Sequence, residues 1–215
     1  MLPLCTLIPT GVQNLGVFSY DSLESIVASI IAHVAHLLST IILFKLTIAV
    51  FGRDSKQKAF VSATLHILAP AGLFLSAPYA ESCCAFLSFA GYLYYVKSFS
   101  KDGNGSAAKD VLLLMSGIMF GAATTHRSNG MLNGVLLLEE AFRLLYQFTT
   151  DFKLATLRRL LAAGVGGISV GAGFVLPQYL AYQDYCKVAE GIIERREWCG
   201  KTIPSIYNFV QDHYW

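Results

Sequence analysis

Residues 23–51 read LESIVASIIAHVAHLLSTIILFKLTIAVF, and between Glu24 and Arg53 the only Lys, Arg, Asp or Glu is Lys45. A helix needs about 20 consecutive apolar residues to cross the hydrocarbon of a bilayer. This stretch is longer, so it tilts or protrudes, and Asp21 or Ser22 is placed to cap its start. Working outward, the pattern recurs. After the short basic loop from Gly52 to Lys58, a second apolar stretch runs from Ala59 to Ala77, broken by Pro70 and stopped by Pro78. A third runs from Ser82 to Val96, a fourth from Val111 to Thr125 and a fifth from Gly130 to Phe148. The sixth, Leu160 to Leu176, is rich in glycine and ends at Pro177. The reading is an all-α, polytopic integral membrane protein with about six transmembrane helices. A single membrane domain covers 1–215, and its last part, 178–215, is a polar and aromatic loop or tail.

Composition agrees. Of 215 residues, 54% are hydrophobic and 14% charged, whereas a soluble domain carries about 25% charged residues. So few charges cannot clothe a water-facing surface unless lipid covers much of it. A formal net charge of +2 is too small to point to nucleic acid. There is no Gly-rich phosphate loop and no Ser-His-Asp signature. None of the five cysteines stands in a paired C-x-x-C pattern, so no metal site is expected. Charges within the helices are too few for an ion pump or voltage sensor. A transporter would show an internal repeat with matching broken helices, but Pro70 has no counterpart in a second half. The N-terminus lacks the basic region of a signal peptide, and residues 1–18 read as the interior of a longer protein.

Alternation of six helices sorts the loops into two groups. One holds Arg53, Lys56 and Lys58, then Lys97, Lys101 and Lys109, then Arg143, Lys153, Arg158 and Arg159. The other holds the Pro78 turn, the Arg127 turn and the tail. Lys and Arg accumulate on the cytosolic side of membrane proteins, which places the first group in the cytosol. The tail's basic residues are balanced by acids. The sequon Asn104-Gly105-Ser106 then lies in the cytosol and stays unglycosylated. Cys186 and Cys199 lie on the opposite side, where a disulfide can form if the compartment is oxidising.

Several polar residues stand at the non-cytosolic edge. Glu81 follows a proline turn and precedes an apolar helix, where a carboxylate is electrostatically favoured. It is equally placed to face a cavity and hold a sugar hydroxyl, a metal or a proton. Arg127, flanked by His126, Ser128 and Asn129, is either an interfacial anchor or a phosphate partner. Its planar fork matches phosphate oxygens, and the start of the fifth helix beside it offers free N–H groups. The tail from Ile206 to Trp215, with Gln211, His213, Tyr214 and Trp215, is either an interfacial aromatic belt or a sugar-binding surface. His33, His36 and His66 read as polar contacts between helices.

Taken together, Ser76-Ala77-Pro78-Tyr79-Ala80-Glu81-Ser82, Thr125-His126-Arg127-Ser128-Asn129-Gly130, Gln178-Tyr179 with Tyr182 and Tyr185-Cys186, Trp198-Cys199, and Ile206-Tyr207 with Val210-Gln211 and His213-Tyr214-Trp215 resemble the PIG-V family of GPI mannosyltransferases. The order and spacing agree along nearly the whole chain. The resemblance implies a GT-C-type helical bundle in the endoplasmic reticulum membrane. It implies an enzyme that takes mannose from the lipid donor dolichyl phosphate mannose and forms an α-1,6 link, as the second mannose, on the mannosyl-glucosaminyl phosphatidylinositol precursor. No nucleotide sugar or other cofactor is implied, and a small membrane partner subunit is. Carried onto this chain, it makes Arg127, Ser128 and Asn129 the donor-phosphate group, Glu81 a candidate catalytic acid, and Gln211, His213, Tyr214 and Trp215 the acceptor or sugar surface. The family's expected base, the Asp of a Trp-Asp motif, has no counterpart, since no Trp-Asp pair occurs. The chain therefore reads as truncated at both ends and inactive alone, with a non-catalytic scaffold subunit or a transporter as the alternative.

Overall fold

A computed structural model describes residues 20–69, 75, 77, 79–100, 106–187, 197–201 and 204–214. Among them the α-helices are α1 Tyr20–Phe51, α2 Lys56–Ile67, α3 Glu81–Ser98, α4 Ser106–His126, α5 Val135–Thr150, α6 Leu154–Tyr182 and α7 Ile206–Tyr214, and there is no strand. The chain leaves α1 at Gly52, whose φ of 91° L side chains rarely adopt.

The centre is a trio formed by α4, α5 and α6. Gly117 and Gly121 of α4 lie directly against Gly166, Ser169 and Gly173 of α6. Contacts advance in the same direction along both helices, so α4 and α6 run parallel. Helix α5 returns antiparallel along α6, with Leu137 on Gly166 and, from the turn that precedes it, Gly134 on Val170. The core is Leu113, Phe120, Leu137, Leu144, Ala163 and Val170. Helix α3 packs antiparallel to α4, and its Gly91 fits against the Phe120 ring. Helix α1 lies outside α3 and beside α2. The α1–α2 contact is polar as expected. The His66 ring stands edge-on to His36, with centroids 5.1 Å apart, and its Nε2 is 2.8 Å from the Ser39 hydroxyl. His33 instead bonds within its own helix.

Three points refine the reading. First, among the described residues three helices are both long and apolar enough to span a membrane by length and composition: Leu23–Phe51, Ser106–His126 and Leu154–Cys186. Helix α2 has 12 residues, α3 is more polar, and the 16 residues of α5 include Glu139, Glu140 and Arg143. Second, Pro177 does not end the sixth helix, which runs through it to Tyr182 and into a π turn, Gln183–Lys187. Ending a helix among apolar surroundings would strand several backbone groups, whereas continuing through proline forfeits one bond. Third, the fifth helix begins at Val135 rather than Gly130. A 3-10 turn, Ser128–Gly134, precedes it. Asn129, Gly130, Asn133 and Gly134 are poor helix formers, and Gly130 is buried against the Thr124 backbone. Helix α2 stops at Ile67. Pro70, Ser76, Pro78, Asn104 and Gly105 of the sequon, and Trp215 lie outside the described residues.

Candidate functional site

The first turn of α3 and the end of α4 meet at one end of the bundle. Arg127 follows α4 in extended conformation and caps the 3-10 turn. From there its Nη1 donates to Glu81 Oε1 at 2.7 Å. The two residues that the sequence marks separately are thus one ion pair. It is solvent-accessible, with side chains 46% (Arg127) and 31% (Glu81) exposed. Arg127's other N–H groups have no hydrogen-bond partner among the described residues, so the guanidinium retains donors for an anion. Ser128 is half-buried and Asn129 exposed, one and two residues further on. The helical N–H groups beside Arg127 belong to the 3-10 turn, not to α5.

Below the ion pair, one face of α3 holds the turn through side chains. Asn133 Nδ2 donates to Ser88 Oγ at 3.0 Å, and Tyr92 donates to Asn133 Oδ1 at 2.6 Å. Tyr95 donates to the Leu136 carbonyl at 3.3 Å. Glu81, Ser88, Tyr92 and Tyr95 fall at i, i+7, i+11 and i+14, a single stripe of a helix. Nothing in the sequence links Asn133 to this stripe, although the spacing of the polar residues along it is visible once α3 is assigned.

The tail folds back on the far end of α6. Cys186 and Cys199 form a disulfide, with Cα atoms 5.7 Å apart. Trp198 is buried beside it, among Ala181, Tyr182, Ile206 and Phe209. Ser205 donates to Gln178 at 2.7 Å. Tyr207 lies 5.5 Å from Phe174, and burial pushes its phenol up from its ordinary value. On α7, Gln211 and His213 are both exposed. The His213 ring stacks on Phe209 with centroids 4.1 Å apart. No hydrogen bond joins either residue to Glu81 or Arg127. Tyr214 ends α7, and its side chain, like Trp215, lies outside the described residues.

The opposite end holds a second charge cluster, which the sequence reading takes for loop cations. Arg158 and Arg159 lie inside α6, not in a loop. Arg159 Nε donates to Glu140 at 2.8 Å, and Arg143 grips the same carboxylate with two bonds of 2.8 Å. Arg158 donates to Asp110. Glu140 is 2% exposed and Asp110 7%. The Arg159 guanidinium also lies 4.6 Å from the centre of the Phe99 ring. Asp110 and Glu140 are the residues that charge counting missed; the readable signal was an acid within an apolar stretch for Glu140 and at the edge of one for Asp110. Among the described residues no cluster of His, Cys, Asp and Glu is suited to a metal ion.

A sequence model of the family described as Mannosyltransferase (PIG-V) matches residues 12–215. The chain is similar to GPI mannosyltransferase 2 of Gibberella zeae, 40% identical over 96% of this chain and 48% of the relative. For the protein of the same name from Chaetomium globosum the identity is 42%, over 89% of this chain and 44% of the relative. For that of Aspergillus oryzae it is 41%, over 92% and 46%. The chain thus spans about half the length of the curated relatives it matches. No solved structure matches it. A match over nearly the whole chain, added to an all-α bundle with membrane-length helices, settles the family: this chain belongs to the PIG-V mannosyltransferases.

Proposed function

We propose that this chain forms part of the α-1,6-mannosyltransferase that adds the second mannose during GPI-anchor assembly. The donor is dolichyl phosphate mannose and the acceptor the mannosyl-glucosaminyl phosphatidylinositol precursor, met on the lumenal side of the endoplasmic reticulum membrane. Family membership and the names of the relatives support the reaction class. The observation that carries the site is the accessible Arg127–Glu81 pair, at the bundle end opposite the Arg143, Arg158 and Arg159 cluster. Basic clusters favour the cytosol, so the pair faces the lumen, together with the disulfide.

The chemistry is a displacement at the anomeric carbon of mannose. The acceptor hydroxyl gives its proton to a carboxylate and attacks, and the bond to phosphate oxygen breaks, leaving dolichyl phosphate with the electron pair. Arg127 neutralises the charge that develops on that phosphate. Glu81 aims the guanidinium and offers its remaining lone pairs to sugar hydroxyls. The proton acceptor expected from the family, the Asp of the Trp-Asp motif, is not in this sequence. Gln211, His213, Tyr214 and Trp215 are proposed to bind acceptor sugars, and a small membrane subunit is a proposed partner.

The test is complementation of fungal cells lacking the second-mannose activity by the full-length protein. Loss of one preorganised donor to a developing oxyanion slows catalysis by about 100- to 1,000-fold. Arg127→Ala is therefore expected to abolish rescue, with GPI precursors accumulating at one mannose. Full rescue by Arg127→Ala at normal protein level would remove Arg127 from the chemistry.

A further inference from the structure

We propose that Asn133 is the positioning residue of this site, setting where Arg127 stands relative to Glu81. The inference rests on the phosphate role given to Arg127 above. Arg127 belongs to no helix. It lies between α4 and the 3-10 turn, whose seven residues contain two glycines, Gly130 and Gly134. Such a segment has little stiffness of its own, since 3-10 bonding is poorer than α and glycine leaves the backbone free. Something outside the segment must hold it. On its inner side Gly130 fits against the Thr124 backbone with no space for a side chain. On the α3 side Asn133 supplies the grip. Its amide N–H reaches Ser88 at 3.0 Å, and its carbonyl receives the Tyr92 hydroxyl at 2.6 Å.

Both anchors lie on the stripe of α3 that begins with Glu81. Ser88 is seven residues on, two turns further along the same face. One rigid helix therefore carries the carboxylate that receives Arg127 and the two hydroxyls that fix the turn bearing it. Asn133 uses donor and acceptor at once, which neither Asp nor Leu can do. Asn133 is half-buried, where leaving either group unpaired is costly, so the amide is held in one geometry. The consequence is catalytic: a displacement of about 1 Å at a positioned group costs on the order of 100-fold in rate.

The experiment uses the full-length protein in microsomes, with labelled dolichyl phosphate mannose as donor. Asn133→Ala is expected to lower transfer about 10- to 100-fold at unchanged protein level. Its effect should vanish when Arg127 is already impaired, so that Asn133→Ala with Arg127→Lys transfers no more slowly than Arg127→Lys alone. Rates that multiply would show independent damage and overturn the proposal. A second measurement needs no activity. With Cys5, Cys83 and Cys84 replaced by Ser, Glu81→Cys and Arg127→Cys are joined by a short bis-maleimide, and the yield should fall several-fold when Asn133→Ala is added. An unchanged yield overturns the positioning role even if transfer is slow. If the parent protein transfers no mannose, the catalytic reading fails, while the cross-link still decides whether Asn133 holds the turn.

Discussion

The parallel packing of α4 on α6 positions both Arg127 and the tail, and it depends on a few absent side chains. A Cβ added at Gly117 would overlap the Gly166 backbone, and one at Gly121 would stand 2.5 Å from the Ser169 carbonyl oxygen. No rotamer change relieves either, because the obstructing atoms are backbone. At Gly166 the added Cβ would meet Gly117 Cα at 3.3 Å, and at Gly167 it would meet nothing within 4 Å. Each Gly→Ala change gains about 1 kcal/mol of helix propensity. That gain is common to all and cancels in differences between variants. The remaining term is overpacking, about 1–3 kcal/mol at Gly117, less at Gly166 and none at Gly167. For a protein of this size each kcal/mol moves the melting temperature by about 2–4 °C. Gly117→Ala is then expected to melt about 2–12 °C below Gly167→Ala, with Gly166→Ala between them. The assay is size-exclusion chromatography of detergent extracts after stepwise heating. If Gly117→Ala melts at or above Gly167→Ala, the close parallel contact of α4 with α6 is wrong.

Two further outcomes follow from the rest of the bundle. Glu140→Ala leaves Arg143 and Arg159 without their shared carboxylate and should destabilise by about 3–5 kcal/mol, the range for removing one partner of a buried pair, whereas Arg127→Ala, at an exposed pair, should cost at most about 1 kcal/mol. Heating the two variants side by side measures this, and equal losses would contradict the difference in burial. Gly200→Asn completes a sequon with Thr202 in the tail and is expected to acquire a glycan removable by endoglycosidase, while Asn104 remains bare. The reverse pattern would invert the orientation.

Sequence showed the helices where composition dominates and failed where a local rule met a tertiary one. The apolar run of α1 was legible because nothing interrupts it between Glu24 and Lys45. Pro177 misled, since its reading as a stop borrows from helices whose ends are satisfied by water. Gly130 misled in the other direction, its turn being fixed by contact with Thr124. Glu81 and Arg127 each stood out as charges at an apolar edge, yet 46 residues separate them, and only the antiparallel packing of α3 and α4 makes them a pair. Asp110 and Glu140 were hidden by their neighbours: summing bases over loops left the acids uncounted, although each lies within reach of Arg158 or Arg159.

The two charged ends of the bundle differ in a way that bears on what each can do. At one end the carboxylates are buried, with Glu140 receiving three bonds from two arginines, and Arg159 is itself only 15% exposed. An incoming anion at Arg159 would have to displace a buried carboxylate, and breaking such a pair costs several kcal/mol. At the other end a single bond joins Arg127 to Glu81, and both side chains reach solvent. An exposed pair is worth about 1 kcal/mol or less, while a phosphate offers charge-assisted, bidentate bonds to the same fork. On the proposed function, exchange of carboxylate for phosphate is then favourable at Arg127 and unfavourable at Arg159. The same residue types give a clamp that ties α4, α5 and α6 together at one end, and at the other the guanidinium that we propose is taken up by a lipid phosphate and returned to Glu81 when it leaves.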